Sequence, residues 1–118
     1  MATIFQRYGG FAVISRIVLS FYDRVLDSDQ LAPYFEHVDM PVLIDHQTKF
    51  IAYLTGGPAT ISDEALRIAH ANRGIDRPAF EEMRRLLAET LEEHGLEPAD
   101  LEAVMAEIDK RAGLVVTR

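Results

Sequence analysis

Between Leu43 and Gly74 two histidines sit on the apolar sides of two short helical patterns, parted by Gly56-Gly57-Pro58. In the first pattern Leu43, His46, Gln47, Phe50 and Leu54 recur at i, i+3, i+4, i+7 and i+11, one stripe of a 3.6-residue helix. In the second, Leu66 and His70 share a face four residues apart. An imidazole or an amide set among Leu and Phe is costly to bury without a partner. A metal or cofactor held between the two helices would supply that partner. On spacing alone, a satisfied core or surface histidine remains the more ordinary reading of His70.

The elements that must position these groups read as helices throughout. Ala2 to Tyr8 predicts a short helix stopped by Gly9-Gly10, and Phe11 to about Leu26 carries a stripe of Ile14, Val18, Phe21 and Val25 with Tyr22 beside it. Asp27-Ser28-Asp29 breaks that helix, and Pro33-Tyr34-Phe35 forms a corner. Asp39 predicts the N-cap of the next helix, which has Pro41 in its first turn and runs to about Leu54. Ser62 or Asp63 caps a short helix ending near Asn72, with Gly74 as its left-handed stop. Asp76 opens a long helix to about His94, with Pro78 in its first turn and Phe80, Met83, Leu87 and Leu91 on its face. Pro98 opens a last helix, with Leu101, Val104, Met105 and Ile108 on one side. No alternating strand pattern is present, so the expected class is all-α.

At 118 residues the chain is expected to form a single domain, 1–118. A net charge of −7 with scattered Lys and Arg argues against nucleic acid or an anionic membrane as partner. The absence of cysteine excludes disulfides, zinc–thiolate sites, iron–sulfur clusters and thiol catalysis. Neither a secretory leader nor a membrane span is expected, and the reading is a soluble, cytoplasmic protein. The glycine pairs lack the Lys-Ser/Thr ending of a phosphate loop. Ser, His and Asp occur at no spacing that singles out a hydrolytic triad.

Several segments together resemble a known family. Tyr8-Gly9-Gly10, Phe21-Tyr22-Asp23-Arg24-Val25-Leu26, Leu31-Ala32-Pro33-Tyr34-Phe35, Val38-Asp39-Met40, His46-Gln47, Phe50, Gly56-Gly57-Pro58 and Ala69-His70-Ala71 resemble the group 1 truncated haemoglobins, in pattern like the cyanobacterial-type members. The resemblance covers nearly the whole chain. It implies a truncated globin, a two-on-two helical sandwich around haem. By position, His70 matches the proximal ligand to haem iron, and Phe35 matches the phenylalanine packed on the haem face. Tyr22 and Gln47 match the distal polar pair that hydrogen-bonds a diatomic ligand, and Leu43 stands at a distal site where other globins often carry histidine. His46 matches the position that supplies a second, distal iron ligand in six-coordinate members. Phe50, Tyr53, Leu54, Leu66, Ile75, Phe80, Met83 and Leu87 are expected to line the haem pocket, although at helical spacing each also reads as plain core.

Some members attach haem through a histidine near the C-terminus. Gly113-Leu114-Val115-Val116-Thr117-Arg118 has none, so non-covalent haem b is implied. Ile61-Ser62-Asp63 departs from the Tyr-Thr-Gly of many relatives, which touches the approach to the proximal helix. Arg67 and Lys49 are candidate partners of the haem propionates, with solvated charge as the plainer role for each. His37 and His94 are expected to be exposed and are given no role.

The implied function is binding of O2, NO or CO at haem iron, for oxygen transport or for NO detoxification. If the chain is an enzyme, the resemblance suggests NO dioxygenation, with nitrate as product and a separate reductase as electron donor. A bis-histidyl, hexacoordinate resting state would favour electron transfer. The rival reading from another class is a haem-free helical interaction module. In that case Tyr22, His46, Gln47 and His70 would each need protein or water partners.

Overall fold

The computed structural model describes residues 2–71 and 73–118, and among them every regular element is helical. The order is α1 (Ile4–Arg7), α2 (Phe11–Asp27), a 3-10 turn (Ala32–Phe35), α3 (Met40–Leu54), α4 (Asp63–His70), α5 (Arg77–Glu93), α6 (Pro98–Lys110) and α7 (Ala112–Val115).

Local chemistry starts α1 and α3 to α6. Thr3 and Gln6 form a reciprocal capping box at α1. The side chains of Asp39, Ser62 and Asp76 accept from the amides of Val42, Ala65 and Ala79 at 3.2, 3.0 and 2.9 Å, opening α3, α4 and α5. Proline occupies the first turns of α3, α5 and α6, where its missing N–H costs nothing. The expected helix of residues 2–8 is shorter, and the expected end of α4 near Asn72 lies outside the described residues.

One correction concerns α6. It is not the last helix: Arg111 interrupts it, and α7 follows as a separate turn. Gly113 weakens the helical signal of this stretch, which is why periodicity passes over it.

The packing is built on α2. Ile14, Ile17, Val18, Phe21, Tyr22 and Val25 all face inward, with Ile17 and Val25 fully buried. α2 packs on both α3 and α5, α5 packs on α6, and α4 packs on α7. Two helix pairs, α2/α3 and α5/α6, thereby meet through α2 and α5. α1 is pinned where α3 ends: the Phe5 amide donates to Thr55 O at 2.9 Å. At Gly57 a Cβ would lie 2.7 Å from the Phe5 ring, so the glycine allows this close approach. Arg7 and Tyr8 both donate to Asp100 on α6, Arg7 through two nitrogens and Tyr8 at 2.6 Å. No helix among the described residues is long and apolar enough to cross a membrane.

Candidate functional site

Where the two helix pairs meet, a cavity of about 550 Å³ opens between α2, α3, α4, α5 and the end of α6. That volume is in the range of sites for small molecules and cofactors. Its walls are mainly apolar: Val18 and Phe21 come from α2, Leu43 and Phe50 from α3, Leu66 from α4, and Phe80, Met83 and Leu87 from α5. Phe35 in the 3-10 turn and Ile75 ahead of α5 complete the surface that the sequence leads one to expect.

Two of the expected lining residues are elsewhere. Tyr53 is turned about 60° from Phe50 around α3, and its ring lies under the Arg111 guanidinium at 5.7 Å. Leu54 keeps the stripe but lies one turn on, about 6 Å further along the axis, where it packs against the core cluster.

Four polar side chains named from the sequence share this cavity: Tyr22, His46, Gln47 and His70. His70 ends α4 and is half-buried; its Nδ1 lies 2.8 Å from Leu66 O, one turn back on the same helix. A carbonyl only accepts, so Nδ1 carries the proton and donates. Nε2 then keeps its lone pair for a ligand role.

Tyr22 is 3 % exposed, and burial alone raises its phenol pKa. It is therefore a neutral O–H donor at any physiological pH. Its ring is held edge-on between Phe21 at 4.9 Å and Phe35 at 5.8 Å. Among the described residues nothing bonds its hydroxyl, which leaves that donor free for a ligand in the cavity. Gln47 is half-buried on α3, and His46 beside it is exposed at the cavity edge.

The cations differ from expectation. Lys49 pairs with Asp45 at 3.0 Å and Arg67 with Glu64, both pairs are exposed, and neither cation lines the cavity. The arginines that do line it are Arg73, Arg84 and Arg111. Arg84 donates to both carboxylate oxygens of Asp109 at 2.6 and 2.8 Å, which holds the Asp109 carboxyl below its usual range. Their signal was present in the sequence for two of the three. Arg84 stands four residues after Phe80 and Arg111 three after Ile108, charges set on apolar stripes. His37 and His94 are exposed and outside the cavity.

This donor set suits a large, flat, apolar group with carboxylate substituents and a metal that takes imidazole. Haem has those properties, and neutral imidazole is a common axial ligand to its iron. Apolar walls, an imidazole nitrogen left free, an unpartnered phenol and rim arginines all match it.

The comparisons agree. The bacterial-like globin family model matches residues 3–116. The group 1 truncated haemoglobin GlbN of Synechocystis sp. is 33 % identical over 112 residues, 92 % of this chain and 90 % of that protein. A group 1 truncated haemoglobin of Tetrahymena thermophila is 31 % identical, over 80 % of this chain and 78 % of that one. Among solved structures, the Fe(III) form of the truncated haemoglobin of Tetrahymena pyriformis superposes with a TM-score of 0.89 at 26 % identity, covering 99 % of this chain and all of the other. The 2/2 haemoglobin of a Synechococcus species, in the cyanomet state with covalently attached haem, gives 0.89 at 25 % identity over the same share of each chain. The chain belongs to the bacterial-like globins and, within them, to the group 1 truncated haemoglobins of two-on-two helical fold.

Proposed function

We propose that this chain holds haem b non-covalently in the α2–α6 cavity and binds O2, NO or CO there. The observation that carries the reading is the 2.8 Å contact between His70 Nδ1 and Leu66 O. With Nδ1 donating to Leu66 O, Nε2 is the one ring nitrogen free to ligate, and it belongs to a cavity-lining residue. Haem would supply an iron that takes a neutral imidazole and a diatomic gas.

The chain's own residues would do the rest. His70 would hold the iron through Nε2. Tyr22 would donate its O–H to a partly negative ligand atom, and Gln47 would offer its amide N–H from α3. The apolar walls exclude water, which protects the ligated state and strengthens each hydrogen bond made inside. Arg73 and Arg84 are the cations placed to meet carboxylates of the group, while Arg111 is held by Glu107. Residues 95–118 contain no histidine, which supports non-covalent attachment.

The finer readings are two. His46 is assigned as a reversible sixth ligand: it lines the cavity from its exposed edge and must turn inward to reach a metal. NO dioxygenation is assigned as the turnover activity, and it requires an external reductase.

The testing experiment is the visible spectrum of the purified chain with haem added, oxidised and then reduced under nitrogen. A Soret band sharpened and shifted from that of free haem, reverting toward it in His70→Gly and restored by added imidazole, is the expected result. A parent chain whose spectrum stays that of free haem overturns the haem reading. An unchanged spectrum in His70→Gly removes His70 as ligand. Nitrate formed from O2 and NO, with electrons from an added reductase, tests the turnover activity, and no nitrate above the protein-free rate refutes it.

A further inference from the structure

The helix that presents His70 is short and buries little of itself. α4 spans eight residues, Asp63–His70, and buries only Leu66 among them. Isolated helices shorter than about 12–15 residues are marginal in water, so α4 persists through tertiary packing. Its outer side offers little of it: Ile68 is 63 % exposed, and Arg67 pairs with Glu64 on the same helix.

The packing comes from residues 111–118. α4 rests on α7, and the flanking residues reach its first turn and the segment that leads into α5. Arg111 Nε lies 3.9 Å from Asp63 Oδ1 at the first turn of α4. Beyond its last turn, the Thr117 amide donates to Ile75 O at 2.9 Å. Between these points Val115 joins Leu66 and His70 in the cavity wall.

Arg111 is itself firmly placed. Nη1 donates to Glu107 O at 2.9 Å and to Glu107 Oε2 at 2.8 Å, and the guanidinium lies over the Tyr53 ring. The side chain is 14 % exposed. Its Nε is buried and has no hydrogen-bond partner among the described residues. One side chain therefore links α3, α6 and the start of α4, with a donor left facing the α4 carboxylate.

We propose that residues 111–118 form a non-covalent clasp on α4, that Arg111 is its anchoring, positioning residue, and that the clasp sets how firmly His70 is held at the cavity. The last part rests on the reading of His70 as the haem ligand. Where α4 cannot hold its own shape, the segment packed on it decides the rigidity of the ligand it carries.

The test uses the protein as isolated and compares it with Arg111→Met, Arg111→Lys and a chain truncated after Arg111. Hydrogen–deuterium exchange of the Leu66–His70 amides is expected to quicken about tenfold in Arg111→Met and further on truncation, with α2 and α5 unmoved. Arg111→Lys, which keeps the cation near Glu107 and Asp63, is expected to restore most of the protection. In haem-loaded protein that also carries His46→Leu, so that the ferrous iron is five-coordinate, the iron–histidine stretching band is expected to shift, and haem loss to a scavenger apoglobin to quicken about tenfold. Unchanged α4 exchange, or exchange that rises equally in α2 and α5, overturns the clasp. A parent chain that takes up no haem defeats the proposed function alone, because the exchange measurement reads the clasp without it. Should the truncated chain fail to fold by circular dichroism, Arg111→Met carries the same test.

Discussion

Replacing Tyr22 by Phe removes one hydroxyl and leaves the ring in its place between Phe21 and Phe35. Two consequences follow, and they differ in sign. The side chain is buried, which favours the protonated phenol, and its hydroxyl, bonded by none of the described residues, belongs to the cavity lining. In the ligand-free protein its removal therefore leaves stability level or raises it by up to about 1 kcal/mol. With O2 bound, the variant loses a hydrogen bond to a charged acceptor, about 1.5–3 kcal/mol. That loss corresponds to O2 release faster by about ten- to hundredfold. Stopped-flow measurement of O2 dissociation, beside urea denaturation of both proteins without gas, reads the two effects separately. CO carries less charge on its terminal atom, so its dissociation is expected to move far less. An O2 off-rate within about threefold of the parent's, or a loss of stability above about 1 kcal/mol, would refute a Tyr22 hydroxyl aimed at the ligand.

Three further outcomes are expected. In His46→Leu the reduced, gas-free spectrum is expected to change from two sharp visible bands to one broad band, and O2 association to quicken, because the fraction of open molecules rises. Identical spectra for parent and variant exclude His46 as the sixth ligand. Gly57→Ala brings a Cβ to 2.7 Å from the Phe5 ring and is expected to cost about 1–3 kcal/mol in urea denaturation; a change below about 0.5 kcal/mol would show that α1 yields easily. Hydrogen bonds from Arg7, then Tyr8, hold the Asp100 carboxyl below its usual value. A depressed folded pKa stabilises above the unfolded value, about 3.9, and that contribution disappears as pH falls through the folded one. The melting temperature of Asp100→Asn is therefore expected to fall less than the parent's between about pH 4 and pH 2, and parallel acid arms would show that Asp100 contributes nothing.

Much of the architecture was legible because its signals are local. A side chain that caps a helix bonds an amide three residues ahead, so Asp39, Ser62 and Asp76 announce α3, α4 and α5 from the sequence. The stripe Ile14, Val18, Phe21 and Val25 determined the buried face of α2, because a 3.6-residue period allows only one side to gather those positions. The same stripes, joined to the family resemblance, pointed to His70, Tyr22 and Gln47, and all three line one cavity.

What the sequence by itself determined, then, was which residues face inward and where each helix begins. The tertiary structure decided what each inward face meets. Tyr53 and Leu54 follow the periodicity of α3 yet miss the cavity, because Arg111 and the core cluster reach them first. Arg67 and Lys49 find carboxylates on their own helices, while the cations that line the cavity are Arg73 after α4, Arg84 on α5 and Arg111 between α6 and α7. The free nitrogen of His70 depends on a carbonyl one turn away, but the place of α4 depends on residues 111–118, more than forty positions further along. Periodicity reports the angle of a side chain about its own axis; the neighbour across that angle is set by packing against the rest of the chain.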